Sequence, residues 1–200
     1  MADKERLQAF YDAGPVPWDR AEPPPEVMQA AAEWTPGRGL DLGCGLGRAS
    51  IYLAQRGWQM DGVDFIPAAI AEAQARAESA GVSEQIHFYT GPITELDFLH
   101  PGYDMALDVG CAHGLSEEEL SLYHDQLTRL LKPGAHYLLF AHLTREGDER
   151  SWLDEARLRA LFARGFQLEK VEYGETVVNE QAPWRSAWFW FRRVDASQSS

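Results

Sequence analysis

The sequence predicts an α/β fold, a doubly wound, mostly parallel sheet of seven strands with helices on both faces. Short apolar runs alternate with helix-patterned segments from Gly39 onward, which is the order of a parallel sheet. Most of the helical segments end in glycine or proline, so each reads as a separate element. The last two apolar runs are joined by a loop without a helix, so the final strand is free to return antiparallel.

Asp3 to Asp12 is a polar helix candidate, broken at Gly14-Pro15-Val16-Pro17-Trp18. Pro23-Pro24-Pro25 then sits where a first helical turn tolerates proline, and Val27, Met28, Ala31, Ala32 and Trp34 mark a short apolar face ended by Pro36-Gly37. Gly39–Leu42 is a short buried strand and Arg48–Arg56 a helix closed by Gly57. Trp58–Val63 is the second strand, and the alanine-rich Pro67–Ala80 the next helix, closed by Gly81. Ile86–Thr90 and Tyr103–Val109 are strands, and Glu117–Leu131 is an amphipathic helix stopped by Lys132-Pro133-Gly134. His136–Ala141, the helix Ser151–Ala163, and the strands Phe166–Tyr173 and Ala187–Val194 complete the series. The polar tail 195–200 is expected to fray.

The chain has 200 residues, 45% hydrophobic and 24% charged, enough for one buried core and too apolar for a disordered chain. Against 18 Lys and Arg stand 31 Asp and Glu, a net charge of −13. That balance argues against nucleic acid and anionic membrane as partners. Two cysteines, Cys44 and Cys111, are too few for a disulfide framework and lack the spacing of a metal site, so no metal is expected. The charged N-terminus has no apolar core of a signal peptide, and no apolar run is long enough to span a bilayer. A cytoplasmic protein, monomeric or weakly dimeric, is the expectation.

Gly39-Leu40-Asp41-Leu42-Gly43-Cys44-Gly45-Leu46-Gly47 carries the most information. Three glycines let the chain turn sharply out of a strand and approach a ligand. A dinucleotide fingerprint needs glycine where Arg48 stands, and a P-loop needs Gly-Lys-Ser/Thr where Gly47-Arg48-Ala49 stands, so neither phosphate pattern fits. The second strand ends in Asp64, seventeen residues past Gly47. A carboxylate there can accept from two vicinal ribose hydroxyls, or cap the helix that starts near Pro67. Asp61 lies inside the strand and is the weaker claimant.

The Gly-x-Gly-x-Gly loop behind Asp41, followed by Asp64, resembles motifs I and II of class I S-adenosylmethionine-dependent methyltransferases. The resemblance extends over residues 15 to 193. With Pro17-Trp18-Asp19 it is similar to the thiopurine S-methyltransferase and tellurite-resistance branch. It implies the strand order 3-2-1-4-5-7-6 and three parts of one compact domain. These are an N-terminal helical lid segment (1–36), a methyltransferase domain (37–194) and the tail (195–200). It implies S-adenosyl-L-methionine as cofactor, S-adenosyl-L-homocysteine as product, and cofactor contacts from Trp18, Asp41, Gly43, Cys44, Gly45, Gly47, Asp64, Phe65, Pro92, Ile93 and Asp108. The family's third motif usually reads Gly-Asp, whereas Gly91-Pro92-Ile93 lacks the acid, leaving the Ile93 N–H and the flat Pro92 ring. Thr94 and Glu95 are weaker adenine-side candidates. Stiff proline flanks suit Trp18 to a lid over the pocket; the alternative is that it packs the first helix onto the sheet.

Asp108, at the end of the fourth strand, and His113, in the loop after it, are the catalytic candidates. Each has a second reading: Asp108 as a carboxylate that orients its own loop, His113 as a hydrogen-bonded structural group. His142 is a further candidate, and Trp184 and Arg185, placed before the last strand, border the expected acceptor site. Trp188 and Trp190 read as core. The activity implied is methyl transfer to a small molecule: a thiol, a chalcogen oxyanion or another small nucleophile. The competing reading is a nucleoside- or S-adenosylmethionine-binding regulator that transfers nothing.

Overall fold

A computed structural model describes residues 8, 16, 19–144, 152–177 and 183–195. The expected helix at 3–12, apart from residue 8, and the expected lid residue Trp18 lie outside them. Five helices are described: α1 (Pro25–Glu33), α2 (Arg48–Ala54), α3 (Pro67–Ser79), α4 (Glu117–Leu130) and α5 (Glu155–Phe162). The strands are β1 (Arg38–Leu42), β2 (Gln59–Asp64), β3 (Ile86–Thr90), β4 (Tyr103–Val109), β5 (Leu131–His142), β6 (Phe166–Thr176) and β7 (Trp184–Arg193). They form one sheet in the order β3-β2-β1-β4-β5-β7-β6. The pairs from β3 through β5 are parallel, and β7 runs antiparallel to both β5 and β6, as expected.

Side chains alternate across the sheet with period two, and each set meets a different helix layer. Tyr137, Leu139, Phe189 and Phe191 pack with Leu120 and Leu127 of α4 and Leu158 and Phe162 of α5. Leu138, Trp188 and Trp190 point the other way and pack with Val27 and Ala30 of α1, Leu53 of α2 and Ala77 of α3. The helix boundaries follow local chemistry. Pro25 and Pro67 occupy first turns, where a missing N–H costs nothing. Ser116 and Glu119 form a reciprocal capping box on α4, and Asp154 caps α5 by accepting from the Arg157 N–H at 2.8 Å.

The edges depart from the sequence expectation in one place that matters. Trp184 and Arg185 are the first residues of β7, not a loop before it, because β6 extends to Thr176 and pairs with them. Backbone pairing with a long partner strand outweighs the local signal, which begins only at the apolar run. No helix among the described residues is long and apolar enough to cross a membrane.

Candidate active site

The carboxyl ends of β1, β2 and β4 meet at one edge of the sheet, the side on which open α/β sheets hold ligands. The glycine loop leaves β1 there, with Gly43, Gly45 and Gly47 all at positive φ (72°, 53° and 76°). Gly43 N and Cys44 N both donate to the Val63 carbonyl, at 2.8 and 3.0 Å, which staples the loop to the end of β2. At two of these glycines the missing Cβ makes room for the protein's own chain. A Cβ on Gly43 would lie 2.6 Å from Cys111 Cβ, and one on Gly47 would lie 2.8 Å from the Phe88 ring and 3.0 Å from Ala73 Cβ.

Three acids surround the loop, each in a different bonding state. Asp41 is buried and takes a 2.6 Å hydrogen bond from the Ser50 hydroxyl of α2; burial pushes its carboxyl up to about 6. Asp64, 6% exposed, ties two turns together: Oδ2 accepts the Gly45 N–H and Oδ1 the Ile66 N–H, each at 2.9 Å. Burial raises its pKa and those N–H donors oppose the rise. Asp64 stands three residues ahead of α3, whose N-cap is Ile66 and which takes no side-chain cap bond. The Ile66 contact is therefore a local turn before the helix, and Asp64 does not cap α3 as the sequence allowed. The two accepted bonds leave lone pairs on both oxygens, which a pair of vicinal hydroxyls can use. Gly91 N donates to the Asp64 carbonyl at 3.0 Å, which brings the β3 turn alongside. On that turn Pro92 is exposed, while Ile93 is buried in the core. Phe65 is partly buried between Asp64 and α3.

Asp108 faces its own loop. Oδ1 accepts from Cys111 N at 2.7 Å, and Oδ2 accepts from Ala112 N at 3.0 Å and from the Tyr123 hydroxyl at 2.9 Å. Tyr123 in turn lies 2.9 Å from the Tyr137 hydroxyl, so a buried polar chain runs from β5 through α4 to the loop. The carboxyl is fully buried, and burial pushes it up to about 7 against the pull of its three donors. Tyr123 and Tyr137 were not legible as partners, since each also satisfies the apolar period of its element.

That loop presents His113 in the 3-10 turn Ala112–Gly114. The His142 N–H donates to His113 Nδ1 at 3.3 Å, which leaves the ring proton on Nε2. Burial, and then the neighbouring His142, lowers the His113 pKa to about 3, so the ring is neutral at pH 7. The His142 ring is 4.7 Å away, and Trp152 and Trp184 lie 5.1 and 5.0 Å from it. Trp152 carries no sequence motif, and the bridge between Leu143 and Leu153, with the bonds around it, brings it here. Burial, the largest cause, and the surrounding carboxylates push both Cys44 and Cys111 well above the usual thiol range, so both are neutral packing groups.

The N-terminal approach is anchored from the α3 side. Asp19 makes two hydrogen bonds to the Arg76 guanidinium, at 3.1 and 2.9 Å, and accepts nothing from the glycine loop. Val16, three residues earlier, is buried.

Residues 40–134 match the model of a methyltransferase domain. A 2-heptyl-1-hydroxyquinolin-4(1H)-one methyltransferase from Mycobacteroides abscessus is 28% identical over 124 residues, 62% of this chain and 54% of the relative. The chain spans about half the length, or less, of the first curated relatives it matches. Among solved structures, TehB from Haemophilus influenzae superposes with a TM-score of 0.75 at 18% identity, over 88% of this chain and 64% of the other. The Burkholderia thailandensis 1,6-didemethyltoxoflavin-N1-methyltransferase, solved with its acceptor and S-adenosylhomocysteine, gives 0.74 at 22% identity over 96% and 87%.

Proposed function

We propose, from the premise that this chain is a class I S-adenosylmethionine-dependent methyltransferase, that it methylates a small molecule held beside the loop after β4. The observation that carries this reading is the Asp64 carboxylate, joined to Gly45 of the glycine loop and keeping lone pairs on both oxygens. S-adenosylmethionine supplies a methyl group already activated by a positive sulfur, whose leaving group is a neutral thioether. The residues present suit such a ligand: Asp64 for the ribose hydroxyls, a Gly45 turn without a side chain, and three nearby acids for a ligand with cationic centres. Asp41 backs the loop through Ser50 rather than facing outward.

Asp108 takes a positioning role in this reading, and His113 is carried by the loop it holds. Asp108 spends its oxygens on two loop N–H groups and Tyr123, and so holds the loop that carries His113. Neither group is needed as a base when the acceptor arrives with its own lone pair; alignment and exclusion of water supply the rate, worth up to about 7–11 kcal/mol in well-oriented cases. The acceptor class spans thiols, chalcogen oxyanions and other small nucleophiles. Relatives named for a hydroxyquinolone and for didemethyltoxoflavin support a small molecule.

Calorimetry with S-adenosylhomocysteine, against NAD and ATP as competitors, tests the premise, and a small-molecule panel read by S-adenosylhomocysteine release tests transfer. Absence of binding, or tighter binding of NAD or ATP, overturns the reading. Binding without turnover across thiols, oxyanions and amines assigns the pocket to a regulator.

A further inference from the structure

Four rings from separate parts of the chain converge beside the loop after β4. His113 follows β4, His142 ends β5, Trp152 immediately precedes Leu153 of the Leu143–Leu153 bridge, and Trp184 opens β7. Their centroids lie close: 5.1 Å from His113 to Trp152, 5.1 Å from Trp152 to Trp184, and the His142 spacings already given. The planes meet at 88° and 44°, so they form walls of a seat rather than a flat stack. His142 is buried, whereas His113, Trp152 and Trp184 each keep part of their surface open.

The cluster is held in place by backbone. Thr144 N donates to the Leu153 carbonyl at 3.0 Å, and the Thr144 hydroxyl donates to the Trp152 carbonyl at 2.7 Å. Ser186, two residues past Trp184, pairs across the sheet with His142. Cys111, two residues before His113, packs on Gly43, so the seat adjoins the glycine loop.

Two hydrogen-bond donors in the seat have no protein acceptor among the described residues. Trp152 Nε1 is buried without one, which is unfavourable for a polar group shut off from water. His113 carries its proton on Nε2, because Nδ1 is taken by the His142 N–H, and that Nε2–H donates to no described residue. Among the described residues, no free cationic side chain stands at the same place. Arg185, adjacent to Trp184, is engaged by Glu155 at 2.7 Å and stacks over Tyr173 at 5.2 Å. Burial keeps His113 uncharged, with a pKa near 3. An inorganic oxyanion therefore meets neutral donors and aromatic walls, with no described cation to offset the loss of its hydration.

We infer that this seat takes a flat heteroaromatic acceptor, lodged against the indoles, whose ring nitrogen or exocyclic oxygen or sulfur accepts from Trp152 Nε1–H and His113 Nε2–H. The inference rests on the methyl-transfer reading and narrows its substrate class. His113 offers no basic nitrogen, so the nucleophile is a heteroatom that needs no base: a ring nitrogen, or a ring-conjugated oxygen or sulfur whose charge is spread over the aromatic system, unlike the compact charge of an inorganic oxyanion. Its lone pair forms the new bond to the methyl carbon while the sulfur–methyl bond breaks and its electron pair returns to sulfur, leaving a neutral thioether. Trp152 and His113 are thus specificity-determining residues that read the acceptor's heteroatoms.

The test uses the full chain with S-adenosylmethionine and three probes: 4-hydroxyquinoline, cyclohexanethiol and tellurite, each followed by S-adenosylhomocysteine release. 4-Hydroxyquinoline is expected to be turned over with the highest kcat/KM. Trp152→Phe keeps an aromatic ring and removes the donor; it is expected to raise KM for 4-hydroxyquinoline roughly three- to tenfold, with cofactor affinity by calorimetry unchanged. His113→Phe is expected to act in the same direction. Preference for tellurite or cyclohexanethiol, or an unchanged KM in a folded Trp152→Phe, overturns the inference. Failure of S-adenosylmethionine itself to bind overturns the premise instead, so the two failures are distinct. The wild-type ranking of the probes stands even if a variant does not fold.

Discussion

Asp64 and Gly45 are joined by a 2.9 Å hydrogen bond from backbone N–H to carboxylate across nineteen residues, and the same carboxylate holds Ile66 N. One side chain therefore sets the spacing between the glycine loop and the entry to α3. A ligand bridging loop and carboxylate meets a frame already in place, which lowers the ordering cost of binding.

Asp64→Ala is expected to weaken S-adenosylhomocysteine binding by about tenfold or more, since bonds to a charged group are worth roughly 1.5–3 kcal/mol. Its melting temperature should also fall, because two N–H donors lose their acceptor. Titration calorimetry and thermal melts separate these effects. A variant that melts lower yet binds as the wild type confines Asp64 to the backbone.

Gly43→Ala is expected to destabilise the protein without reference to any ligand. The new Cβ would sit 2.6 Å from Cys111 Cβ, at a φ of 72° that disfavours alanine. The double variant Gly43→Ala, Cys111→Gly removes the clash and should recover part of the loss, the remainder being backbone strain and glycine's own cost. Chemical denaturation of the two variants measures the coupling, and purely additive losses refute it.

Asp108 gives a pH signature. Its pKa is raised to about 7 by burial, above the ordinary 3.8, so between those values the folded state holds a proton the unfolded state has released. Its contribution to stability is therefore greatest in acid and is lost as pH rises from about 4 to about 7. His113, lowered to about 3, and His136, lowered to about 4, act in the opposite sense: their contribution is present above the ordinary 6.5 and is lost as pH falls below it. The two trends oppose each other in the wild type, so a single melt profile hides them. Asp108→Asn isolates one: the stability gap between wild type and variant should widen as pH drops from 7 to 5. A gap that stays constant from pH 7 to pH 5, or narrows, would refute the raised pKa of Asp108.

Asp19→Ala tests whether the segment before α1 serves the pocket. The Asp19–Arg76 pair is partly exposed, so its loss should cost stability only about 0–1 kcal/mol. If residues 1–20 act as a lid, cofactor affinity should fall several-fold while the melting point of the free protein hardly moves. Unchanged affinity places this segment with the scaffold.

Much of this architecture was written locally in the chain. A glycine at positive φ, a proline in a first turn and an apolar period of two or 3.6 are properties of neighbouring residues. They therefore marked the strands, the helices and the Gly43–Gly47 loop without any knowledge of the fold. The end of β2 at Asp64 was legible for the same reason.

The direction in which a side chain spends its bonds was decided only by tertiary structure. Asp108 could have faced a ligand or its own loop. Two N–H groups that follow it, and Tyr123 arriving from α4, turned it inward. Trp184 and Arg185 became strand because β6 offered them a partner. The seat of His113, His142, Trp152 and Trp184 exists only because β4, β5 and β7 lie side by side. No local pattern encodes it, since contacts between distant residues depend on which strands pair, and that choice is made by the core as a whole.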